Sequence, residues 1–323
     1  MNVLVVGGEG YIGKILIKDL IINYDVTSID NLIYGQNSED YTNNYTFINL
    51  DIRELKKMKS IIKNFDIIIL LAGLVGDPVT KKYQILSKSI NDEAVLNIIN
   101  LCDELNTKRF IFVSTCSNYG FLSDEYEANE QTILKPLSLY SKSKVEAEKL
   151  ILSKKNKTLM NPTILRFATA FGVSPRMRFD LTVSEFVKEI YFGNTLEVYF
   201  PNTWRPYCHV KDFSNLIQKV ISAPIEDVSF KVYNAGSNSN NASKQIILDK
   251  ILKYLPNGLY KYINVGDDQR NYKVNFNKVR EELDFKPEYT IDFGIEELID
   301  HFKKGYFLDV NKNLNKYGNY AIK

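Results

Sequence analysis

The chain has 323 residues with 41 basic and 39 acidic side chains, a formal charge of +2, so no strong field draws it to nucleic acid or to a charged membrane. Apolar residues at 45% and charged residues at 25% describe a globular chain long enough for two domains or one large α/β unit. No run approaches a membrane span, and His209, His301, Cys102, Cys116 and Cys208 make no metal-ligand spacing; a reduced, cytoplasmic protein without a leader is expected.

Residues 3–6 are an unbroken apolar run, the pattern of a strand buried on both faces. Gly7, Gly10 and Gly13 follow at three-residue steps around Tyr11 and Ile12, and a helical pattern with Ile15, Leu16 and Leu20 begins at once. Strand, glycine turn and helix in that order let a backbone approach a pyrophosphate at a helix N-terminus. A second strand, 26–30, ends in Asp30, at about the twenty-residue spacing where a carboxylate accepts adenine-ribose hydroxyls. Asn31 and Leu32 come next rather than an arginine, which favours NAD over NADP.

A third strand, 45–50, runs into Asp51, Ile52 and Arg53. A helix with Leu55, Met58, Ile61 and Ile62 on one face precedes a fourth strand, 65–71, which ends in Leu71 and is closed by Ala72 and Gly73, residues small enough for a cofactor to lie across. A packed helix at 90–105 leads to a fifth strand, 109–113, with Thr115 just beyond it. Strands alternating with helices predict a parallel, doubly wound sheet, whose ligands sit at the carboxyl ends of strands. The glycine turn, Asp30, Asp51, Ala72 and Thr115 all fall at such ends.

Tyr140 and Lys144 open the next helix on one face, and an ammonium beside a phenol favours the phenolate, a general base. In isolation such a pair more often marks a solvated face. After a strand at 163–168, which brings Phe167 and Thr169 to its end, the chain changes character. Arg176 and Arg178 stand in a loop before a helix at 182–192. Arg205 opens a block ending in His209 and Asp212, and Arg270 lies in a loop at 266–272. Arginine forms planar, bidentate contacts to phosphate, so these four are candidate substrate contacts. A helix at 213–222, a strand at 230–233, short helices around Val279 and Ile295, and a polar tail read as poorly ordered complete the chain. The expected organisation is one domain of 1–170 with 205–235 returning to it, a second lobe of 171–204 and 236–307, and the tail 308–323.

On these residues the chain resembles the extended short-chain dehydrogenases/reductases of the NAD-dependent epimerase/dehydratase family, which act on nucleotide sugars. The resemblance runs from residue 1 to about 305. The family's GxxGxxG loop matches Gly7, Gly10 and Gly13, its ribose acid Asp30, its Asp-hydrophobic pair Asp51-Ile52, and its YxxxK pair Tyr140 and Lys144. Its diphosphate-binding block matches residues 205–212, and a later R-D-Y-like segment matches Arg270 to Tyr272.

The resemblance implies an α/β fold, a doubly wound parallel Rossmann sheet with a smaller, mixed α/β substrate-binding lobe. It implies NAD held by Gly7, Gly10, Tyr11, Ile12, Gly13, Asp30, Asn31, Asp51, Ile52, Leu71, Ala72, Gly73, Tyr140, Lys144 and Phe167. Thr115, Tyr140 and Lys144 would be catalytic, and Thr115, Thr169, Arg176, Arg178, Arg205 and Arg270 would contact a nucleoside-diphosphate sugar. A homodimer through the helices at 90–105 and 140–152 is also implied. The implied reaction is hydride transfer at C4 of the sugar in bacterial surface-polysaccharide synthesis. It ends in epimerisation or, alternatively, in net 4-dehydrogenation or 4-ketoreduction, for example of a GDP-heptose.

Departures from the family pattern narrow this. The Asp-Glu pair of the 4,6-dehydratases is replaced by Cys116 and Ser117, which speaks against dehydration. Cys116 reads as a buried structural thiol, with an acid for C3/C5 chemistry as the other reading. Thr169 stands where many relatives carry a diphosphate-touching Asn. A non-catalytic NAD sensor on the same fold would not need the Tyr-Lys pair.

Overall fold

Seven strands form one parallel sheet: β1 (Asn2–Val6), β2 (Asp25–Asp30), β3 (Tyr45–Asn49), β4 (Ile67–Leu70), β5 (Arg109–Thr115), β6 (Pro162–Phe167) and β7 (Lys231–Ala235). Their order is β3-β2-β1-β4-β5-β6-β7, every pair parallel. The computed structural model describes residues 1–35, 44–266 and 270–322. The helices that matter here are α1 (Tyr11–Leu20), α2 (Leu55–Ile62), α3 (Val95–Glu104), α4 (Leu139–Ser153), α5 (Thr182–Tyr191), α6 (Val210–Ser222), α7 (Lys244–Tyr254) and α8 (Ile291–Lys303).

Alternation along β1 explains the two layers. Val3 and Val5 pack with Leu16 and Leu20 of α1 and Leu216 and Val220 of α6. Leu4 and Val6 face the other way, onto Met58 of α2, Ile98 of α3 and Ile151 of α4. With both faces covered, the strand is apolar throughout, as its sequence predicts. The chain moves to one side of β1 for β2 and β3 and to the other for β4 and β5. That reversal opens a crevice at the strands' carboxyl ends.

The second lobe has its own apolar core, with Phe171, Met177, Phe179, Val187, Ile247 and Ile295 among its members. Several boundaries differ from expectation. Trp204–His209 stays out of the main sheet and pairs parallel with Thr169–Phe171 and antiparallel with Asn241–Ser243, so the return to it begins with α6 and ends in β7. The helix expected over 90–105 is a π-helical turn, Lys88–Ala94, feeding α3. Helix α7 was not foreseen, and α8 is 13 residues long rather than short.

The tail is not loose. Val310 and Tyr317 are buried, and the rings of Phe179, Phe302, Phe307 and Tyr317 cluster around them. Phe179 N donates to Tyr317 O at 2.7 Å, and Asn319 Nδ2 to Val75 O at 3.2 Å. A few aromatic anchors suffice where they meet an aromatic core. Among the described residues no helix is long and apolar enough to cross a membrane, and no group of His, Cys, Asp and Glu could hold a metal ion. All three cysteines are free and buried.

Candidate active site

At the crevice lies a cavity of about 1440 Å³ that extends into the second lobe. It is larger than an ordinary small-ligand pocket and has room for a dinucleotide beside a second ligand. The residues named from the sequence for the cofactor, for the Thr115, Tyr140 and Lys144 set and for the four arginines line it, whereas Cys116, His209 and Asp212 do not.

Backbone geometry builds one end. Gly7 has φ of +88°, and a Cβ there would lie 2.6 Å from the backbone N and Cα of Ala72. Gly13 rests so closely on the backbone of Gly8 that a Cβ would overlap it. These contacts draw β1, β4 and α1 together. Gly10 is the N-cap of α1, with no side-chain cap and no acid in the first turn, which leaves the first-turn N–H groups available to an anion. Tyr11 is turned elsewhere: its hydroxyl donates to Gly172 O at 2.5 Å and ties α1 to the second lobe.

Asp30 closes β2. Its Oδ1 accepts from Leu32 N at 2.9 Å and its Oδ2 from Glu9 N at 3.2 Å. Burial raises its carboxyl above the ordinary value, against the pull of those N–H groups, and the charge of Glu9 adds to the rise. Glu9, unremarked in the sequence reading, is ion-paired to Lys14 and accepts from Tyr45 OH at 2.6 Å. The Asp30 carboxylate suits ribose hydroxyls and repels a 2′-phosphate, so this end fits NAD. Asn31 Nδ2 donates to Asp51 Oδ2 at 2.8 Å, and hydrogen bonds led by Arg53 pull the Asp51 carboxyl down to about 2. Asn91 grips Leu74 through both backbone groups, at 2.7 and 2.9 Å, and so shapes the loop after β4.

Thr115 ends β5, and its Oγ1 accepts from Ser117 N at 3.1 Å. A capping box of Ser138 and Ser141 starts α4 and sets Tyr140 in its first turn. One turn on, Lys144 Nζ donates to Val113 O at 2.7 Å and lies 5.8 Å from the Tyr140 ring centroid. Burial lowers Lys144 to about 8. Burial, and after it the charge of Asp77, push the Tyr140 phenol far above its ordinary value, while Arg178 pulls it down. In the protein alone burial dominates the phenol, and the cation that acts against it is Arg178 rather than the expected Lys144.

Cys116 Sγ donates to Arg166 O at 3.1 Å, and burial pushes the thiol up, so it fits the structural reading. Ser117 Oγ and Tyr272 OH share a hydrogen bond of 3.2 Å, which brings a second phenol to the cavity wall.

The arginines line the cavity but are engaged inside the protein. Arg178 makes a bidentate pair with Asp180, at 2.9 and 2.5 Å. Arg176 donates to Met177 O, Gly318 O and Asn319 Oδ1. Arg205 NH1 donates to Trp204 O and Arg270 O, and its guanidinium lies 5.2 Å from the Tyr272 ring centroid. Arg270 NH1 is 2.6 Å from Asp77 Oδ2; the neighbouring positions 267–269 of its loop lie outside the described residues. Of the 205–212 block, His209 and Asp212 serve the fold. His209 pairs with Glu297 at 3.0 Å, and Asp212 accepts from Glu288 N and Tyr289 N. Asp77 was missed in the sequence, although Gly76 before it and Pro78 after it mark a helix start at a strand's end.

Comparison with known proteins agrees with this geometry. Residues 3–236 match the family model described as the NAD dependent epimerase/dehydratase family. The chain is 27% identical to uncharacterized protein MJ1055 of Methanocaldococcus jannaschii, over 93% of this chain and 96% of that one. It is 25% identical to the low-salt glycan biosynthesis protein Agl12 of Haloferax volcanii, over 94% and 98%. The structure of UDP-glucuronic acid 4-epimerase from Bacillus cereus, in complex with UDP-glucuronic acid and NAD, superposes with a TM-score of 0.84 at 21% identity, over 95% of this chain and all of the other. The chain thus belongs to the NAD-dependent epimerase/dehydratase family, as an enzyme of the extended short-chain dehydrogenase/reductase type with NAD as its cofactor.

Proposed function

We propose that this enzyme oxidises C4 of a nucleoside-diphosphate sugar and, by returning the hydride to the other face, epimerises it, in the synthesis of a surface glycan. The observation that carries the reading is that Thr115, Tyr140 and Lys144 line the same cavity as the glycine turn and Asp30. The glycan setting rests on the likeness to Agl12.

In this reading the first-turn N–H groups of α1 hold the pyrophosphate of NAD, Asp30 its adenine ribose, and Asn31, Asp51 and Ile52 the adenine side. When bound, NAD supplies the acceptor and donor of the C4 hydride. Tyr140 OH takes the proton of the C4 hydroxyl and later returns it, and Thr115 Oγ1 hydrogen-bonds the same oxygen. The Tyr140 phenol must first be lowered; Arg178 pulls it down, and Lys144 lies one helical turn away, 5.8 Å from its ring centroid. Arg205 and Arg270 bind the diphosphate. Dehydration is disfavoured because a buried thiol and a serine hydroxyl stand where elimination needs two carboxylates. A homodimer through α3 and α4, whose Leu139 and Leu152 are exposed, completes the proposal.

The test is incubation with NAD and UDP-, GDP-, CDP- and dTDP-sugars, following reduced-nicotinamide absorbance and the sugar by NMR. A C4 epimer is the expected product. A released 4-keto sugar with stoichiometric reduced nicotinamide would replace epimerisation with dehydrogenation. No turnover of any sugar would overturn the assignment. Tyr140→Phe should lower turnover at least about a thousandfold, with NAD binding unchanged.

A further inference from the structure

The ion pair between Asp77 and Arg270 joins the two halves of the molecule. Asp77 is the first residue of the short helix Asp77–Lys82, at the end of the loop that follows β4, and Arg270 belongs to the second half. Both line the cavity, both keep some exposure to it, and their charged atoms are 2.6 Å apart. The loop's approach to this point is fixed by Asn91 on Leu74 and by Gly76, whose φ is +115°. The other carboxylate oxygen, Asp77 Oδ1, is buried and has no hydrogen-bond partner among the described residues. A buried carboxylate oxygen without a donor is costly, so the fold gains little from the position of this group.

We propose that Asp77 competes with the substrate's diphosphate for Arg270, so that binding exchanges an internal carboxylate for an external phosphate. This rests on the nucleotide-sugar reading, in which Arg270 binds the diphosphate. Arginine takes carboxylate and phosphate through the same planar donors, so one guanidinium edge cannot serve both fully. The exchange removes a contact between the two halves as the substrate supplies another. Asp77 is thus a positioning residue: it acts on binding through Arg270. Its closeness to the reacting end is supported by its charge, which is felt at the Tyr140 phenol.

The test is calorimetric titration of the NAD-loaded full chain with UDP, GDP, CDP and dTDP. Asp77→Asn should tighten the diphosphate that binds wild type by about tenfold, the scale of a close, partly desolvated charge pair. Asp77→Ser is a second variant with the same expected sign, should the amide disturb the loop. In an Arg270→Gln background the same substitutions should change affinity by less than about twofold, because the competition has lost its object. A purely structural Asp77 would instead weaken binding when replaced. Unchanged or weaker binding in both Asp77 variants, or equal tightening with and without Arg270, overturns the proposal and leaves the nucleotide-sugar reading standing. Failure of all four diphosphates to bind any form overturns both.

Discussion

The two ends of the cavity are made of different materials. The end at the glycine turn is backbone: Gly7 against Ala72, Gly13 against Gly8, an uncapped α1, and one carboxylate held by two N–H groups. The other end is charge, and the structure has already matched it: Arg178 with Asp180, Arg270 with Asp77, and Arg176 with the tail. Backbone that cannot rearrange is preorganised for a constant ligand. Paired side chains must exchange partners before they bind, which suits a site that selects among ligands.

The sharpest way to break this contrast is at Gly7. Gly7→Ala puts a methyl group against the Ala72 backbone at a positive φ and should cost about 2–3 kcal/mol of stability together with NAD binding. Thermal unfolding with and without NAD reads both, and near-wild-type values would mean that the turn can yield. A smaller effect is expected from Asp30→Asn: about tenfold weaker NAD binding by titration, with less discrimination against NADP. Unaltered preference between the two cofactors would remove Asp30 from the ribose site.

An effect of similar size concerns Lys144, beside the proposed base Tyr140. Its value of about 8 lies below the ordinary 10.5, so the buried charge costs stability in full below pH 8, and the cost fades as pH rises to 10.5. Lys144→Met should therefore stabilise the fold at pH 7 by about 1–2 kcal/mol, after allowance for the lost bond to Val113 O, while activity falls. The advantage should vanish above about pH 10.5. A destabilised variant at pH 7 would show that the hydrogen bond outweighs desolvation.

The same division explains what could be read from sequence. The apolar run of β1, the glycine steps, Asp30 and the Tyr140–Lys144 spacing are local patterns, and each landed where its period or spacing placed it. The partners of the arginines are not local. Arg270 meets Asp77 across the molecule, and Arg176 meets Asn319 near the other end of the chain. Arg178 and Asp180 are neighbours in sequence, but only the fold decides whether such a pair closes on itself or opens to a ligand. The strand Trp204–His209 left the main sheet because β6 pairs with β7 instead. The tail gained order from Tyr317 and Val310 meeting an aromatic core assembled from distant segments.

The central claim is hydride transfer at C4, and one measurement addresses it directly. A nucleotide sugar that the enzyme turns over is prepared with deuterium at C4, and single-turnover formation of reduced nicotinamide is followed in the NAD-loaded enzyme. The deuterated sugar should react several-fold slower than the unlabelled one, with the label found in the reduced cofactor. Equal rates, with the label still on C4 and the sugar nonetheless converted, would contradict the claim.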